Sequence, residues 1–560
     1  MGQETRAIDA LIVGSGAGGG ACAYALARRG LKVRVLEAGP RFDPARDYSL
    51  TGADWETRAF PAPEGSRWET TMVAEETLDP NFSRLRSWNH LRGELTAGER
   101  REWGDYLHVR GVGGSTLHFT GEAHRLHPAS MKMRSRFGVG ADWPIDYAEL
   151  EPYYLEAERL IGVAGAADAG ARWRSGPFPL PAHALSLASR RVIAASHELG
   201  LHWLPNSLGV LSGPYDGRPG CNYCNQCNRG CPRGDKASVD VTFLRQALAT
   251  GHCELTAGAQ VLRLEAGDED RVTRVIYADS VGVQHAASAS VIMLCGGAVQ
   301  TPRLLLASTG RHASEGLGNE SGQVGRNFME TVFQATAALA REPLGTWRGL
   351  PSDIVSWDFN APDVIPGVVG GCRLMPFTSS MELTGPIAYA TRVVGAWGKK
   401  HRERLEEVFG RVIALGGIAE CLPHPRAYVD LDPWRRDRFG VPLARVHLHL
   451  DPQASQRQDF MSRQIAAVFA AMNVESIIEQ LGSYDSIAAS HVFGTCRMGD
   501  DASQSVVDRN CRSHRWRNLF IVDGSVFPSS GGGEAPSLTI EALALRSGDY
   551  VAGLLAGRER

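Results

Sequence analysis

The chain has 560 residues, of which 43% are hydrophobic and 22% charged, and its formal net charge is −3. That length exceeds what one hydrophobic core serves, so two or more domains are expected, and the ordinary composition excludes a largely disordered chain. Near-neutrality leaves no electrostatic footprint for nucleic acid or for a polybasic membrane anchor. No run of about 18 uncharged apolar residues offers a transmembrane helix. The start, Met1-Gly-Gln-Glu-Thr-Arg6, has neither an apolar signal core nor twin arginines, so a cytoplasmic location is expected, or a periplasmic one if a partner subunit carries the chain.

Taken in chain order, the apolar run Ala10 to Val13 ends at Gly14 and predicts a buried parallel strand. Ala21 to Arg29 predicts a helix stopped by Gly30, and Lys32 to Leu36 a second strand. Between them, Gly14-Ser-Gly16-Ala-Gly-Gly19 is a G-x-G-x-x-G placed after a strand and before a helix. Gly14 permits a tight turn, Gly16 lets backbone approach a pyrophosphate, and Gly19 allows close helix–strand packing. Glu37, at the end of the second strand, is placed to hold ribose hydroxyls. This is a dinucleotide site, and the fingerprint alone leaves FAD and NAD open.

A polar, tryptophan-bearing stretch without clean periodicity runs from Arg41 to Arg101, followed by a glycine-rich segment at Arg110 to Gly121. Tyr147 to Ile161 and Asp240 to Thr250 predict helices, and Val272 to Ala278 and Ser290 to Leu294 predict strands. From Phe333 to Leu450 the pattern is of strands and long connections, with Val446 to Leu450 alternating as a half-buried strand does. Ser455 to Leu481 reads as one or two helices, Leu519 to Val522 as a strand, and Ser537 to Leu555 as a helix.

Four of the eleven cysteines fall in one segment, Cys221-x2-Cys224-x2-Cys227-x3-Cys231-Pro232. This is ferredoxin spacing, yet a single run supplies three ligands to one centre, which fits a three-iron cluster or requires a remote fourth thiolate. A zinc knot, two disulfides, or purely structural thiols are the competing readings. With a cluster the electrons leave to an external acceptor; without one, oxygen can be the oxidant.

Four further segments carry a resemblance. They are Arg110-Gly-Val-Gly113-Gly114-Ser115-Thr116, Gly297 to Gly310, Val324-Gly-Arg-Asn-Phe-Met-Glu330, and Asn518 to Pro528 with Asp523 and Gly524. With the first glycine motif they resemble, in order and along the whole chain, the glucose-methanol-choline (GMC) oxidoreductases. Asp142 to Tyr154 is similar to the bacterial branch of gluconate, sorbitol and fructose dehydrogenases. The resemblance implies an α/β fold (α+β overall): a Rossmann-like FAD-binding domain plus a substrate domain whose antiparallel sheet roofs the flavin. It assigns residues 1–50, 105–130, 240–330 and 485–560 to the first domain. Residues 131–239 and 331–484 go to the second, and 51–104 form a lid or excursion. It implies FAD, with Val261 and Thr539 joining the glycine segments, Asp523 and Gly524 at the cofactor.

Within Ser490-His491-Val-Phe-Gly-Thr495, the resemblance makes His491 the general base for an alcohol whose hydride passes to flavin N5. Where the family has a second histidine or asparagine before a proline, this chain has Ala535-Pro536, and a methyl group makes no hydrogen bond. Glu534 is the candidate substitute, to orient a hydroxyl or pair with a substrate amine. His118 falls where some relatives attach FAD covalently. The expected activity is oxidation of a sugar, polyol or amino-sugar hydroxyl, using oxygen or an external acceptor, with a small or cytochrome subunit as candidate partner. A bulky aromatic or terpenoid alcohol is the alternative, with Trp55, Trp68, Trp88 and Trp103 lining an apolar entrance. A non-redox lyase and an electron-transfer subunit are further alternatives.

Overall fold

The computed structural model describes residues 8–48, 50–52, 55–57, 70–102, 104–106, 108–166 and 172–557. Trp68, Trp103, Met1 to Arg6 and part of the expected 51–104 excursion lie outside them.

Five parallel strands form the first sheet, in the order Cys253–Ala257, Val33–Glu37, Ala10–Val13, Val291–Leu294 and Leu519–Ile521. The two central strands are apolar throughout because helices cover both faces. One is the helix Ala17–Ala27, which starts earlier than its apolar pattern suggests and packs against the C-terminal helix Ser537–Leu555.

The second sheet has six strands in the order Cys372–Pro376, Val412–Ala419, Val332–Leu339, Ser476–Gly482, Trp88–Asn89 and Gly93–Glu94, each neighbouring pair antiparallel. Helix Ala454–Ala471 packs on one face, where Gln458 donates to Gln334 at 2.8 Å. The alternate residues Phe333, Ala335 and Met375 point to the other face, toward a large cavity.

The stretch Ser455 to Leu481 is a helix followed by a strand, not helix throughout. Asn473 adopts φ +50° and ends the helix, and Ile477 and Ile478 then suit a pleated strand that pairs with Val332–Leu339. Among the described residues no helix is long and apolar enough to cross a membrane.

Candidate active site

A cavity of about 1630 Å³ lies between the C-terminal ends of the parallel strands and the antiparallel sheet. That is well beyond a small-molecule pocket of about 300–1,000 Å³. At its floor Gly14 has φ +95°, and a Cβ there would stand 2.6 Å from the Cys295 carbonyl oxygen, so the turn admits no side chain. Glu37 is buried beside it. Its Oε2 accepts from the Ser15 amide at 3.0 Å and hydroxyl at 2.7 Å, and its Oε1 from the Gly39 amide at 2.8 Å. Burial raises the Glu37 pKa and these three donors oppose the rise. Ser15 Oγ in turn accepts the Gly113 amide at 3.1 Å, so one serine ties the two glycine segments together. They meet closely: a Cβ on Gly114 would come within 2.8 Å of Gly16 Cα.

The N-terminus of helix Ala17–Ala27 opens onto the cavity at Gly16 and Gly18, where free amides and the helix dipole favour an anion. Across the cavity, Asp523 accepts from the Gly297 amide at 2.9 Å, Thr301 Oγ1 at 2.7 Å and the Ser525 amide at 2.8 Å, and burial raises its pKa. Ser115, His118, Val261 and Gly524 also line the wall. A buried carboxylate for a ribose, a helix N-terminus for a pyrophosphate and this volume fit FAD.

Gly113 and Gly19 stand behind the wall; a Cβ on Gly19 would lie 1.9 Å from the Gly14 carbonyl oxygen, which is the close helix packing expected of it. Thr539, expected at the cofactor, does not line the cavity. Its hydroxyl is 2.8 Å from that of Tyr154, because this face of the C-terminal helix packs on helix Tyr147–Ile161, while Ser537 and Ile540 take the cavity face.

At the other end of the cavity stands His491. Its carbonyl accepts the Thr331 amide at 3.2 Å, and Val492 pairs with Glu330. Its Nδ1 is buried, with no hydrogen-bond partner among the described residues. Burial, with Arg373 acting the same way and Glu122 opposing, brings its pKa down to about 4. The imidazole is therefore neutral at neutral pH and keeps the lone pair that a base needs.

Ala535 lines the cavity too. Its amide donates to His124 Nδ1 at 3.1 Å, and His124 Nε2 lies 2.8 Å from Asn206 Oδ1. Because Nδ1 accepts, Nε2 carries the proton; burial and then Arg373 hold the His124 pKa at about 3. Asn206 Nδ2 donates to Glu122 Oε1 at 3.0 Å. Arg373 grips both Glu122 oxygens, each at 2.6 Å, and donates through Nε to the Gly533 carbonyl at 2.5 Å. Burial pushes Glu122 up, but Arg373 outweighs it and holds the carboxyl at about 2. Glu122 lines the cavity. The sequence reading misses Glu122, His124, Asn206 and Arg373, although two signals were present. Arg373 interrupts the apolar run Cys372-Arg-Leu-Met375, and Glu122 and His124 alternate just after the second glycine segment.

Glu534 does not take the place expected of it. It is 2% exposed and absent from the cavity wall. Its Oε1 accepts from the His127 amide at 3.1 Å, Asn360 Nδ2 at 2.8 Å and Arg172 Nη2 at 3.4 Å. Those three donors lie behind the loop and draw the carboxylate away from substrate.

His118 faces the cavity. Burial and the nearby Lys236 ammonium bring its pKa to about 3, against a hydrogen bond to the Asn228 backbone. Lys236 is fully buried and donates to the carbonyls of Leu117 at 2.8 Å, Phe119 at 3.1 Å and Cys227 at 2.6 Å. The cysteine-rich loop is thereby clamped beneath the segment that carries His118.

The metal and disulfide readings of that loop are corrected. Cys221, Cys224, Cys227 and Cys231 are free thiols, and among the described residues no three His, Cys, Asp or Glu converge as metal ligands. The loop turns on Tyr223 and Asn225, at φ +59° and +58°, and docks outward through Asn225 on the Thr346 carbonyl and Gln226 on Thr384. Cys231 Sγ instead donates to Asp235 at 3.1 Å, and burial pushes the Cys221 thiol up to about 12. An iron–sulfur cluster or zinc does not fit.

Comparison with known proteins agrees with this geometry. Residues 110–332 and 423–544, together more than half of the chain, match two models described as GMC oxidoreductase, and residues 12–72 match an NAD(P)-binding Rossmann-like domain. A 2-methyl-1,2-propanediol dehydrogenase of Mycolicibacterium austroafricanum is 29% identical over 97% of this chain and 95% of its own. The fructose dehydrogenase large subunit of Gluconobacter japonicus is 27% identical over 98% and 99%. The paromamine 6'-oxidase of Streptomyces fradiae is 28% identical over 99% and 93%. Among solved structures, pyridoxine 4-oxidase from Mesorbium loti has a TM-score of 0.62 over 97% of this chain and 98% of that one; at 19% identity this concerns the fold alone. The chain belongs to the GMC oxidoreductase family and is an FAD-dependent alcohol oxidoreductase.

Proposed function

We propose that His491 is the general base in oxidation of a sugar, polyol or amino-sugar hydroxyl to an aldehyde or ketone. The observation that carries this reading is His491 on the wall of the cavity, its buried Nδ1 without a hydrogen-bond partner among the described residues. Held by Glu37, Asp523 and the helix N-terminus at Gly16, FAD would supply the acceptor for the hydride of the carbinol carbon. His491 receives the hydroxyl proton as the C=O bond forms. The charge this creates on the imidazole is opposed by burial and by Arg373 and favoured by the Glu122 carboxylate. Phe333, Met375, Ile418 and Leu481 roof the site with apolar surface that keeps water from the reacting carbon.

The substrate class rests on what the relatives are named for: a propanediol, fructose and paromamine. The apolar roof favours a second reading, an alcohol with a hydrocarbon body. The oxidant is oxygen or an external acceptor. For His118, burial and Lys236 hold the imidazole neutral, the state that a covalent link to the flavin would need; flavin remaining with acid-precipitated protein tests that link. The central test is anaerobic mixing of the holoenzyme with an alcohol panel. Flavin bleaching that is lost in His491→Ala supports the reading, and bleaching that persists at the wild-type rate in His491→Ala sinks it.

A further inference from the structure

We infer that Glu122 is a substrate-binding residue whose carboxylate accepts a hydrogen bond from a second hydroxyl, on the carbon next to the one oxidised. Vicinal diols are then the preferred substrates. This rests on alcohol oxidation beside His491, as proposed above.

A carboxylate oxygen presents two lone pairs, so two well-directed donors engage both. Glu122 Oε1 has both, Arg373 Nη1 at 2.6 Å and Asn206 Nδ2 at 3.0 Å, whereas the described partner of Oε2 is Arg373 Nη2 alone, at 2.6 Å. One strong acceptor position is therefore left on a residue that lines the cavity. Arg373 is itself fixed by the Gly533 carbonyl, so the carboxylate is held in place before substrate arrives.

Position decides which hydroxyl it takes. An acceptor on the reacting oxygen would oppose the negative charge that grows there as the proton leaves, so an anionic acceptor belongs on a neighbouring group. Ala535, whose methyl group offers nothing polar, leaves that neighbouring group to find its partner elsewhere on the wall.

Charge decides between a hydroxyl and an amine. Arg373 is fully buried and already neutralises Glu122. An ammonium entering this site would give up its hydration without meeting a net negative charge, whereas a hydroxyl brings no charge to desolvate. The apolar roof, with Phe333 and Met375, then receives the rest of the molecule.

The test uses the wild-type holoenzyme and one matched series: styrene glycol, its benzylic methyl ether, phenethyl alcohol and phenylglycinol. All share the primary alcohol; the neighbouring carbon carries a hydroxyl, a methoxy group, hydrogen or an amine. Propylene glycol and n-propanol repeat the comparison at small size. The expected result is a kcat/KM for the diol about 10- to 100-fold above those of the ether, the deoxy alcohol and the amine, the range of one hydrogen bond to a charged group. In Glu122→Gln, with flavin content checked by absorbance, the ratio of diol to deoxy alcohol falls toward one. A wild-type ratio near one, an ether as good as the diol, an amine better than it, or a ratio preserved in Glu122→Gln overturns the assignment. If Glu122→Gln does not fold, the ether comparison in wild type decides. Flavin reduction without discrimination defeats this assignment alone; no reduction by any alcohol defeats the oxidation reading, and the assignment with it.

Discussion

Ala535 donates its backbone amide to His124 Nδ1 at 3.1 Å. From there hydrogen bonds run through Asn206, Glu122 and Arg373 and return to the Gly533 carbonyl, two residues from the start. The loop at the family's second catalytic position thus has its polar support in a buried network that reaches the cavity wall at Glu122, and itself presents a methyl group to the cavity.

Removing His124 opens this ring. His124→Phe keeps the volume and the contact with Trp357, whose ring centroid is 4.9 Å away, but strands the Ala535 amide and Asn206. A buried group left without its partner costs about 1–3 kcal/mol. Urea unfolding of the holoenzyme is expected to show a loss of that size; an unchanged midpoint would mean that water replaces the imidazole.

His491→Ala is expected to lower the rate of anaerobic flavin reduction by about 10²- to 10⁴-fold, the range of general base catalysis. The flavin content should hold, because the groups that fit the nucleotide, Glu37 and the helix at Gly16, lie at the other end of the cavity. A loss of flavin along with activity would place His491 in cofactor retention instead.

The pH profile follows from the same residue. Its folded pKa of about 4 lies below the ordinary 6.5, so the base is neutral and competent through neutrality. kcat/KM is expected to stay flat there and to fall only toward about pH 4. Stability moves in the same direction: between 6.5 and 4 the unfolded chain binds a proton at this site that the folded chain does not, so folding weakens as the pH drops through that window. An acid limb near pH 6 or above in kcat/KM would exclude His491 in this state as the base.

Much of this was legible in the sequence, and what was not has a physical cause. The Gly14 turn, Glu37 and the C-terminal helix could be read because each is dictated locally, by a positive φ, a strand end or a helical period. Ser455 to Leu481 misled because Glu475 to Leu481 has no helix breaker with a strong sequence signal; its strand state comes from pairing with Val332–Leu339, more than a hundred residues away. The ring behind Ala535 was hidden for a similar reason. Its members, 122 with 124, 206, 373 and 533, come from four separate segments, and only the fold makes those neighbours. Glu534 misled in the opposite direction: adjacency in sequence suggested the cavity, and three donors behind the loop decided otherwise.

Lys236 offers a test of the cysteine-rich loop. Its ammonium satisfies three carbonyls in a buried site. Lys236→Met keeps the length and strands all three, at about 1–3 kcal/mol each before any relaxation. Lower thermal stability and weaker FAD retention are expected together, since Leu117 and Phe119 flank His118. Iron analysis of wild-type protein completes the test: stoichiometric iron would show that the four thiols close on a metal after all.

The pair Glu122–Arg373 allows the sharpest stability prediction. Arg373→Met leaves the Glu122 carboxylate buried with only Asn206 as donor, and breaking a buried pair from one side costs about 3–5 kcal/mol. Adding Glu122→Gln removes the uncompensated charge, and a neutral amide can keep one hydrogen bond to Asn206. The double variant is therefore expected to be more stable than Arg373→Met alone, a non-additivity that urea unfolding of the two single variants and the double one measures directly. Additive losses would mean that each residue acts through its own contacts, Arg373 mainly through the Gly533 carbonyl. The double variant should still lack preference for a diol, because stability is recovered by neutralising the carboxylate whose acceptor strength the recognition requires.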